Sequence, residues 1–361
     1  MNILELCLSN SLGGLELHFR DFSLWLEQSS TSDDRIFVAT KSDSPLAGRM
    51  ESDLLLNNRN IWQATKLSKF IATKEIDVVH IHDKKDLPLL ALVKSICHYP
   101  FKIAHTRHMS LPGKKRDIYH RWLYRQVDAF FVITEWMKSQ AIENLSLEPD
   151  QIHKINLGTG IIEPCEPEQL LALKEDIFPD HKGLWLANIA RLQHEKGQHV
   201  FLEALKLLKD KGIDIAAVVA GGSDAPEYVQ QLEAYIEQHQ LKVKIFDHRD
   251  DIPVLIQAMD AVVLTTNCET FGLIMIEAMM AEVLAIGSNS GGVPEIIEHL
   301  EDGLLFNAFD AQDLAKQVEL INFSTELKDK LASKGRQKAL KRFEKKQQFL
   351  LFQEKLLSLM N

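Results

Sequence analysis

The sequence predicts an α/β protein built from two doubly wound domains that face a central cleft. Short apolar runs rich in Val, Ile and Phe alternate with helical periods along the chain, the arrangement typical of parallel sheets covered by helices. This alternation occurs twice. A stretch rich in Gly, Pro and acidic residues, 157–169, lies between the two halves, so the pattern indicates two domains rather than one.

The elements follow in order from local pattern. Six strands are predicted in the first half: NILELCL, RIFVA, DVVHIH, FKIAHT, AFFVIT and IHKINL. Five are predicted in the second half: GLWLANIA, IDIAAVVAGG, KVKIF, AVVLTT and VLAIG. Helical periods lie between the strands, and one long helical tract covers 334–360. We therefore expect an N-terminal domain at 1–160, a C-terminal domain at 161–340 and a last helix, 341–361, that returns to the first domain.

Composition narrows the class of protein. The chain has 361 residues, 45% hydrophobic and 25% charged, with a formal net charge of −10. Residues 1–160 carry 20 basic and 19 acidic side chains, whereas residues 161–361 carry 21 and 32. No basic domain of the kind that binds nucleic acid is present.

The apolar runs are shorter than the roughly 18 residues of a membrane span. The four cysteines lack metal or disulfide spacing, which favours a cytoplasmic location.

Two glutamates mark the segment NCETFGLIMIEAMM. Glu269 lies on a loop after a predicted strand, and Glu277 lies in an otherwise apolar helix that is predicted to start near Gly272. Because an unpaired buried carboxylate costs several kcal/mol, a partner must meet Glu277. A ribose diol is one candidate, since a carboxylate accepts from both hydroxyls. A structural glutamate satisfied by backbone or arginine is the equal alternative.

Other loops that follow strands carry candidate anion-binding groups. Arg191 and Lys196 flank a turn into a helix, where a forked donor, a point charge and free N–H groups suit a pyrophosphate. Taken alone, two cations on a surface turn are the more common explanation. Three Gly-Gly pairs also follow strands and allow close approach of backbone to a ligand: Gly13–Gly14, Gly221–Gly222 and Gly291–Gly292.

Histidines follow two strands of the first half. His105 and His108 are candidate polar groups at the cleft, although a lone histidine is more often a packed or surface residue. His80, His82 and Asp83 have a spacing that allows metal binding. No second cluster in the sequence completes such a site, so the sequence predicts no metal.

A basic and aromatic stretch lies in the first half. Residues 102–125 hold seven Lys and Arg against one acid, and a helix there would align Ile118, Tyr119, Trp122 and Leu123 on one face. Contact with an anionic membrane or acceptor is one interpretation. A core-facing stripe with a solvated basic edge is the other.

Together these motifs resemble the retaining family 4 glycosyltransferases with the GT-B fold, two Rossmann-like domains. The resemblance rests on Gly13–Gly14 with Glu16, TRH at 106–108, ARLQHEKG at 190–197, AGG at 220–222, and ETFGLIMIEAM followed by GGVPEII. The glutamate pair eight residues apart is the family's signature. Order and spacing match over nearly the whole chain.

The resemblance implies roles for individual residues. Arg191 and Lys196 would hold the donor diphosphate, Glu277 the ribose, and Gly14 would let the first domain close. His108 would lie near the transferred sugar, with His105 as the alternative. The expected catalytic residues are His108, Arg191, Lys196 and Glu269. The expected donor-binding residues are Gly13, Gly14, Gly221, His248, Arg249, Thr270, Phe271, Gly272, Leu273 and Glu277.

The resemblance also implies retaining, metal-independent transfer from a nucleotide-diphosphate sugar to a glycan or lipid-linked acceptor, as in lipopolysaccharide or other cell-surface polysaccharide synthesis at the cytoplasmic membrane face. No cofactor is expected. The chain contains no Asp-x-Asp that would bridge a donor through a metal. Two departures concern donor preference: Glu282 stands where the family has a Gly-x-Pro turn, and Thr265–Thr266 stand for Pro-Ser. A GT-B nucleotide-sugar 2-epimerase and a non-catalytic sugar-nucleotide-binding subunit remain as alternatives.

Overall fold

The computed structural model describes residues 1–29 and 34–360, and its contacts divide the chain into two compact units. The first unit comprises Met1–Asn156 and Gln347–Asn361, and the second comprises Leu157–Lys346. Each unit is an α/β domain with one parallel sheet, as the alternating pattern predicts. The observed divisions lie at 156/157 and 346/347, compared with 160/161 and 340/341 in the sequence prediction.

The first unit holds a seven-stranded sheet with the order β3-β2-β1-β4-β5-β6-β7. Its strands are β1 (Asn2–Cys7), β2 (Arg35–Lys41), β3 (Leu54–Leu56), β4 (Val78–Ile81), β5 (Lys102–Arg107), β6 (Ala129–Val132) and β7 (Ile152–Lys154). Its helices before the division are α1 (Gly14–Ser29), α2 (Ile61–Lys74), α3 (Leu87–Ile96), α4 (Ile118–Tyr124) and α5 (Glu135–Asn144). All adjacent strands pair in parallel, with Glu5 opposite His80 and Ile81 opposite His105.

The second unit holds a six-stranded parallel sheet with the order β10-β9-β8-β11-β12-β13. Its strands are β8 (Leu184–Ile189), β9 (Ile215–Ala220), β10 (Val243–Phe246), β11 (Ala261–Leu264), β12 (Leu284–Ser288) and β13 (Leu304–Phe306). Its helices are α6 (Pro167–Ile177), α7 (Gln198–Asp210), α8 (Pro226–His239), α9 (Ile252–Gln257), α10 (Leu273–Met280), α11 (Val293–Ile296), α12 (Ala311–Phe323) and α13 (Thr325–Arg342).

The last helix, α14 (Lys345–Leu357), packs its apolar side into the first unit. Phe349, Phe352 and Leu356 recur at helical spacing and are buried with Phe22 and Phe131 in one cluster. The Phe349 and Phe352 rings lie 5.2 and 5.6 Å from the Phe22 ring, within the range of favourable aromatic pairs. Burial of this stripe therefore holds the carboxyl-terminal segment on the sheet of the first unit.

The single long helix predicted for 334–360 is wrong. The helix stops at Arg342, because the backbone at Phe343–Lys345 bonds to residues near the start of the second unit: Phe343 O accepts from Thr159 N–H at 3.0 Å, and Lys345 N–H donates to Thr159 O at 3.0 Å. A side chain at Gly158 would lie 2.8 Å from the Lys345 Cα. Close approach of two backbones ends the helix here, which helical periodicity does not reveal.

No helix among the described residues is long and apolar enough to cross a bilayer.

Candidate functional site

Two loops of the second unit flank the point where its strand order reverses, between β8 and β11. In open parallel sheets, ligands bind beyond the carboxyl ends of the strands at such a point. The loop 190–197 follows β8, and the loop 265–272 follows β11, which ends at Leu264 rather than at the predicted Thr266. The structure therefore brings the predicted cationic loop and the predicted glutamate loop together.

Hydrogen bonds fix these two loops to each other. The Thr265 hydroxyl donates to Lys196 O at 2.8 Å, and Asn267 N–H donates to Glu195 O at 3.1 Å. Gly197 has φ +71° and an added Cβ there would lie 2.3 Å from Thr265 O, so only glycine fits at this contact. The backbone that carries the charged side chains is therefore tightly constrained.

The predicted cations and the first predicted glutamate form an asymmetric arrangement. Lys196 Nζ lies 2.8 Å from Glu269 Oε2, with both side chains about one-fifth exposed (23% and 18%). Arg191 is exposed, and among the described residues it makes no ion pair. One cation is thus already neutralised by a carboxylate, while the other faces solvent.

Hydrogen bonds fix both the side chain and the backbone carbonyl of Glu269. Its Oε1 accepts from Thr270 N–H at 3.1 Å, and its carbonyl accepts from Gly292 N–H at 2.8 Å. Gly291 has φ +60°, and a Cβ there would lie 2.0 Å from Glu269 O. The third Gly-Gly pair therefore serves to let the loop after β12 lie against the glutamate loop.

The start of α10 presents backbone donors beside Glu269. Gly272, at φ +103°, is the N-cap, and none of the side chains that the structure describes caps this end of the helix. The N–H groups of Leu273 and Ile274, which precede the first bonded N–H of the helix at Met275, suit an anion or sugar hydroxyls. Phe271, predicted to bind the donor, is 3% exposed and packs edge-on against Phe343 at 6.1 Å. Its backbone lies at the site, but its side chain belongs to the core.

Glu277 lies five residues into α10 with most of its side chain shielded. Burial raises the pKa of its carboxyl, and the charge of Lys345 opposes that rise. Among the described residues, no hydrogen bond to the Glu277 carboxyl is found. The question raised by the sequence therefore has a partial answer: a lysine charge offsets the burial, and the hydrogen-bond capacity of the carboxylate is unused.

A third loop joins the site through glycine. Gly221 has φ +151°, and a Cβ there would lie 2.1 Å from Ala190 O. Leu192 N–H donates to Gly222 O at 3.0 Å, so the loop after β9 supports the backbone on either side of Arg191. Gly221 N–H in turn donates to Phe246 O at 3.1 Å, which places the following segment next to it.

That segment carries His248 and Arg249, which are predicted to lie near the base. Arg249 stacks its guanidinium 4.6 Å from the Phe246 ring centre and pairs with both oxygens of Asp251, one of them through Nε at 2.7 Å. His248 is exposed and lies 3.2 Å from Asp250 Oδ1. His248 and Arg249 therefore lie at the carboxyl end of β10, the strand next to the one that Gly221 follows.

In the first unit, the glycine loop after β1 is shaped by Glu16. This carboxylate is 5% exposed, accepts from Gly13 N–H at 2.8 Å and from Ser11 Oγ at 3.2 Å, and also bonds Ser9 Oγ. Gly14 is exposed, and an added Cβ would meet nothing within 4 Å. The Glu16 carboxylate therefore holds the loop through hydrogen bonds, and the space next to Gly14 is open.

The strand order of the first unit reverses between β1 and β4, and a histidine cluster lies at this point. His82 Nε2 lies 3.0 Å from Glu5 Oε2, and His82 Nδ1 lies 3.2 Å from His108 Nε2. The His18 ring, on α1, is 5.0 Å from the His108 ring. His18 on α1 and His108, directly after β5, therefore join His82 in a group with one ring nitrogen each within 4.8 Å of the others.

The two candidate histidines differ in accessibility. His105 is 0% exposed, neither of its ring nitrogens has a hydrogen-bond partner among the described residues, and burial lowers its pKa well below the usual value. His108 is partly exposed, so a ligand can reach it. Glu5, on which no functional prediction was based, is the residue that sequence reasoning missed. A carboxylate inside the apolar strand NILELCL is the signal that marks it.

The basic aromatic helix α4 does not bury the stripe that its period suggested. Ile118, Tyr119 and Trp122 are 88%, 51% and 42% exposed, whereas Leu123 is 6% exposed. The core-facing interpretation is thus wrong for three of the four positions. Five of the seven basic side chains in residues 102–125 are also exposed: Lys102, Lys114, Arg116, Arg121 and Arg125.

Comparison with known families places both halves of the chain. Residues 172–338 match the family described as glycosyl transferases group 1, and residues 12–159 match glycosyltransferase family 4. Among curated proteins, a Bacillus subtilis (strain 168) protein provisionally named glycosyltransferase EpsD is 28% identical over 78% of this chain and 77% of its own length. N-acetyl-alpha-D-glucosaminyl L-malate synthase of Bacillus anthracis is 27% identical over 78% of this chain and 74% of its own length.

Solved structures share the fold. Anabaena Alr3699/HepE in complex with UDP-glucose superposes with a TM-score of 0.83 at 22% identity, over 99% of this chain and 100% of that chain. A glycosyltransferase from Rickettsia africae ESF-5 superposes with a TM-score of 0.87 at 20% identity, over 100% and 98%. At this identity the similarity establishes the architecture.

Proposed function

The chain belongs to the group 1, family 4 glycosyltransferases with the GT-B fold, and we propose that it transfers a hexosyl group from a nucleotide sugar with retention of configuration and without a metal ion. The observation that carries the proposal is the arrangement at the β8–β11 switch: Arg191, the Lys196–Glu269 pair and the uncapped start of α10. These groups suit a diphosphate joined to a sugar.

Each group has a role in this proposal. Arg191 and Lys196 stabilise the charge that develops on the leaving diphosphate, assisted by backbone N–H groups. Glu269 and the N–H groups of Thr270–Leu273 bind hydroxyls of the transferred sugar. Glu277 accepts hydrogen bonds from the ribose diol, which suits a shielded carboxylate with unused acceptors.

Retention follows from how the acceptor proton is removed in the proposal. The departing phosphate oxygen takes the acceptor proton on the face that the leaving group occupied, so no enzyme nucleophile is required. Glu269 is then a sugar anchor and not one of a pair of glycosidase carboxylates. The cations take the place of a metal ion, consistent with the absence of Asp-x-Asp in the sequence.

The proposal is tested by thermal shift with UDP, GDP, ADP, CMP and dTDP in EDTA. UDP comes first, because Anabaena Alr3699/HepE was solved with UDP. A ligand at 100 times its Kd adds about 2.7 kcal/mol to the free energy of unfolding. We expect one nucleotide to stabilise the wild type and Glu233→Ala, an exposed control on α8, but hardly Glu277→Ala. A wild type that responds to no nucleotide would contradict the proposal and favour a non-catalytic role.

For the acceptor, we propose a lipid-linked or anionic glycan reached by peripheral contact of the first unit with an anionic membrane. The exposed Ile118, Tyr119 and Trp122, flanked by Arg121 and Arg125, support it, because apolar insertion and basic charge together give interfacial binding. Such a protein acts at the cytoplasmic face in cell-surface polysaccharide or lipopolysaccharide synthesis.

Vesicle sedimentation tests the membrane contact. Trp122→Ala with Arg125→Ala should release the protein from vesicles that contain anionic lipid. The control pair, Phe323→Ala with Lys316→Ala, removes an exposed aromatic and an exposed cation from α12 of the second unit and should bind as the wild type does. Equal binding by all three proteins would refute the membrane contact and leave the donor site unaffected.

A further inference from the structure

Glu5 is a carboxylate in the centre of the first unit, 0% exposed, with a histidine on each oxygen. His80 Nδ1 lies 2.9 Å from Oε1, and His82 Nε2 lies 3.0 Å from Oε2. The register of β1 and β4 sets Glu5 opposite His80, and His82 is two residues further on the same face. An ionised carboxylate only accepts, so both histidines must donate to it.

The proton positions follow along the chain of contacts. Burial and neighbouring histidines lower the pKa of His82, so the ring is neutral and carries one proton. That proton is on Nε2, because Nε2 donates to Glu5, and Nδ1 is therefore an acceptor. His108 Nε2, 3.2 Å away, must then be the donor. His108 is neutral as well, since burial lowers its pKa, which leaves its Nδ1 without a proton.

The ring geometry agrees with a hydrogen bond between His82 and His108. The two ring planes differ by 19° and the ring centres lie 5.5 Å apart, whereas the two nitrogens lie 3.2 Å apart. The nearly parallel rings thus approach each other through their nitrogen-bearing edges. His18, His82 and His108 lie near enough to hold a metal ion, but a metal requires lone pairs that converge on one point rather than nitrogens that face each other.

We propose that Glu5 and His82 are positioning residues that hold His108 in its Nε2–H tautomer, so that His108 Nδ1 is left as an acceptor for a hydroxyl of a bound substrate. The inference rests on the proposed function, because that function supplies the substrate. Glu5 and His82 act through His108 and touch no substrate themselves. The chemistry resembles that of carboxylate–histidine pairs elsewhere, in which a second group selects which ring nitrogen is protonated.

Apart from burial, the strongest influences on the pKa of His108 come from basic side chains. The titratable groups that act on it are His18 on α1, His80 on β4, and His105 and Arg107 on β5. Each of them disfavours a positive charge on His108. A neutral ring with one defined proton is the state that these neighbours favour.

Nuclear magnetic resonance of protein labelled with ¹⁵N-histidine reads the proton directly. We expect a slowly exchanging Nε2–H of His108 with a scalar coupling across the hydrogen bond to His82 Nδ1. In Glu5→Gln, the amide offers one acceptor and one donor, so one histidine must reverse, and a second population with a changed tautomer should appear. A His108 proton on Nδ1 in the wild type would overturn the proposal. So would zinc bound at one equivalent with all three imidazoles shifted.

A binding measurement tests whether the protonation of His108 affects substrate binding. The ratio of UDP-glucose to UDP affinity should fall about five-fold in His82→Phe, the loss of roughly one hydrogen bond. His80→Phe is the matched control, since it also replaces a buried imidazole that is bonded to Glu5 but leaves the His82–His108 contact. The affinity ratio of this variant should not change. An unchanged ratio in His82→Phe would refute the inference. If His82→Phe does not fold, the resonance experiment still tests the tautomer in the wild type.

The two proposals fail in different ways. A wild type that binds none of the five nucleotides contradicts the proposed donor site, whereas the resonance experiment needs no ligand and still reports the tautomer. Conversely, the Glu277→Ala comparison does not involve His108. The histidine chain is thus testable independently of the donor site.

Discussion

Lys196 Nζ lies 2.8 Å from Glu269 Oε2. The lysine predicted to bind phosphate and the glutamate predicted to bind sugar therefore neutralise each other at the point between β8 and β11 where the strand order reverses. The pair is shielded enough for a charge-assisted hydrogen bond to matter, yet it remains accessible from solvent. A diphosphate that attracts Lys196 would release Glu269 for sugar hydroxyls. Occupation of one half of the site would thus prepare the other half.

This relationship predicts opposite effects of two substitutions. Lys196→Met should weaken nucleotide binding by about 10- to 100-fold, the worth of one hydrogen bond to a charged group. Glu269→Gln should leave nucleotide affinity unchanged or raise it, because Lys196 no longer has a competing carboxylate. Calorimetric titration with UDP measures both. Weakened binding in both variants would contradict the release of Glu269 by the diphosphate.

Gly221 and Gly222 provide a test of the loop that supports Arg191. Gly221→Ala should lower the free energy of unfolding by about 2 kcal/mol or more, because its φ of +151° strains any other residue and its Cβ would lie 2.1 Å from Ala190 O. Gly222→Ala is the control, since its Cβ would make an ordinary contact at 3.5 Å with Asp247. Urea unfolding measures both, and equal midpoints would contradict the assigned conformation.

His105 should be replaceable at a gain in stability. Its ring is buried, the part of the chain that the structure describes offers neither nitrogen a hydrogen-bond partner, and burial, followed by Arg107, lowers its pKa. His105→Leu should raise the free energy of unfolding by about 1 kcal/mol at pH 7, because an unpaired polar group is removed. A lowered pKa means that the neutral form stabilises the fold above pH 6.5 and that this stability is lost as the pH falls, so the variant should also resist acid better. Lower stability at pH 7 would show that the ring has a partner.

His153 on β7 predicts a further acid-sensitive contribution. Burial, then Lys355 and Lys138, lowers its pKa to about 4 from an ordinary 6.5. The stability supplied by its neutral form is complete above pH 6.5 and is lost as the pH falls toward 4. Discounted for partial exposure, the effect is roughly 1 kcal/mol.

His153→Gln should therefore flatten the loss of unfolding free energy between pH 6.5 and 4.5. Lys355→Met should make the loss of unfolding free energy at each acidic pH smaller. Removal of a repelling cation raises the pKa of His153 toward its ordinary value. Urea midpoints across this range, compared with the wild type, measure both. Parallel curves for all three proteins would place the acid sensitivity elsewhere.

Some elements escaped prediction for a definite reason. β3 and β13 have three residues each, too short to show a period of two. The break between α13 and α14 depends on Gly158 and Thr159, which approach from nearly 190 residues earlier in the sequence. The exposed face of α4 could not be predicted because amphipathic spacing identifies a stripe without showing whether anything covers it.

The sequence by itself determined the two parallel α/β domains, the loops at the carboxyl ends of their strands and the residue types that those loops carry, because each is encoded by local periodicity and turn chemistry. Only the tertiary structure decided the partners. It set Lys196 against Glu269, left the Glu277 carboxyl without a hydrogen bond from the described residues and joined Glu5 to His108 through His82. Strand register and crossover connections bring these residues together over long sequence separations, and no short-range pattern records which residues will meet.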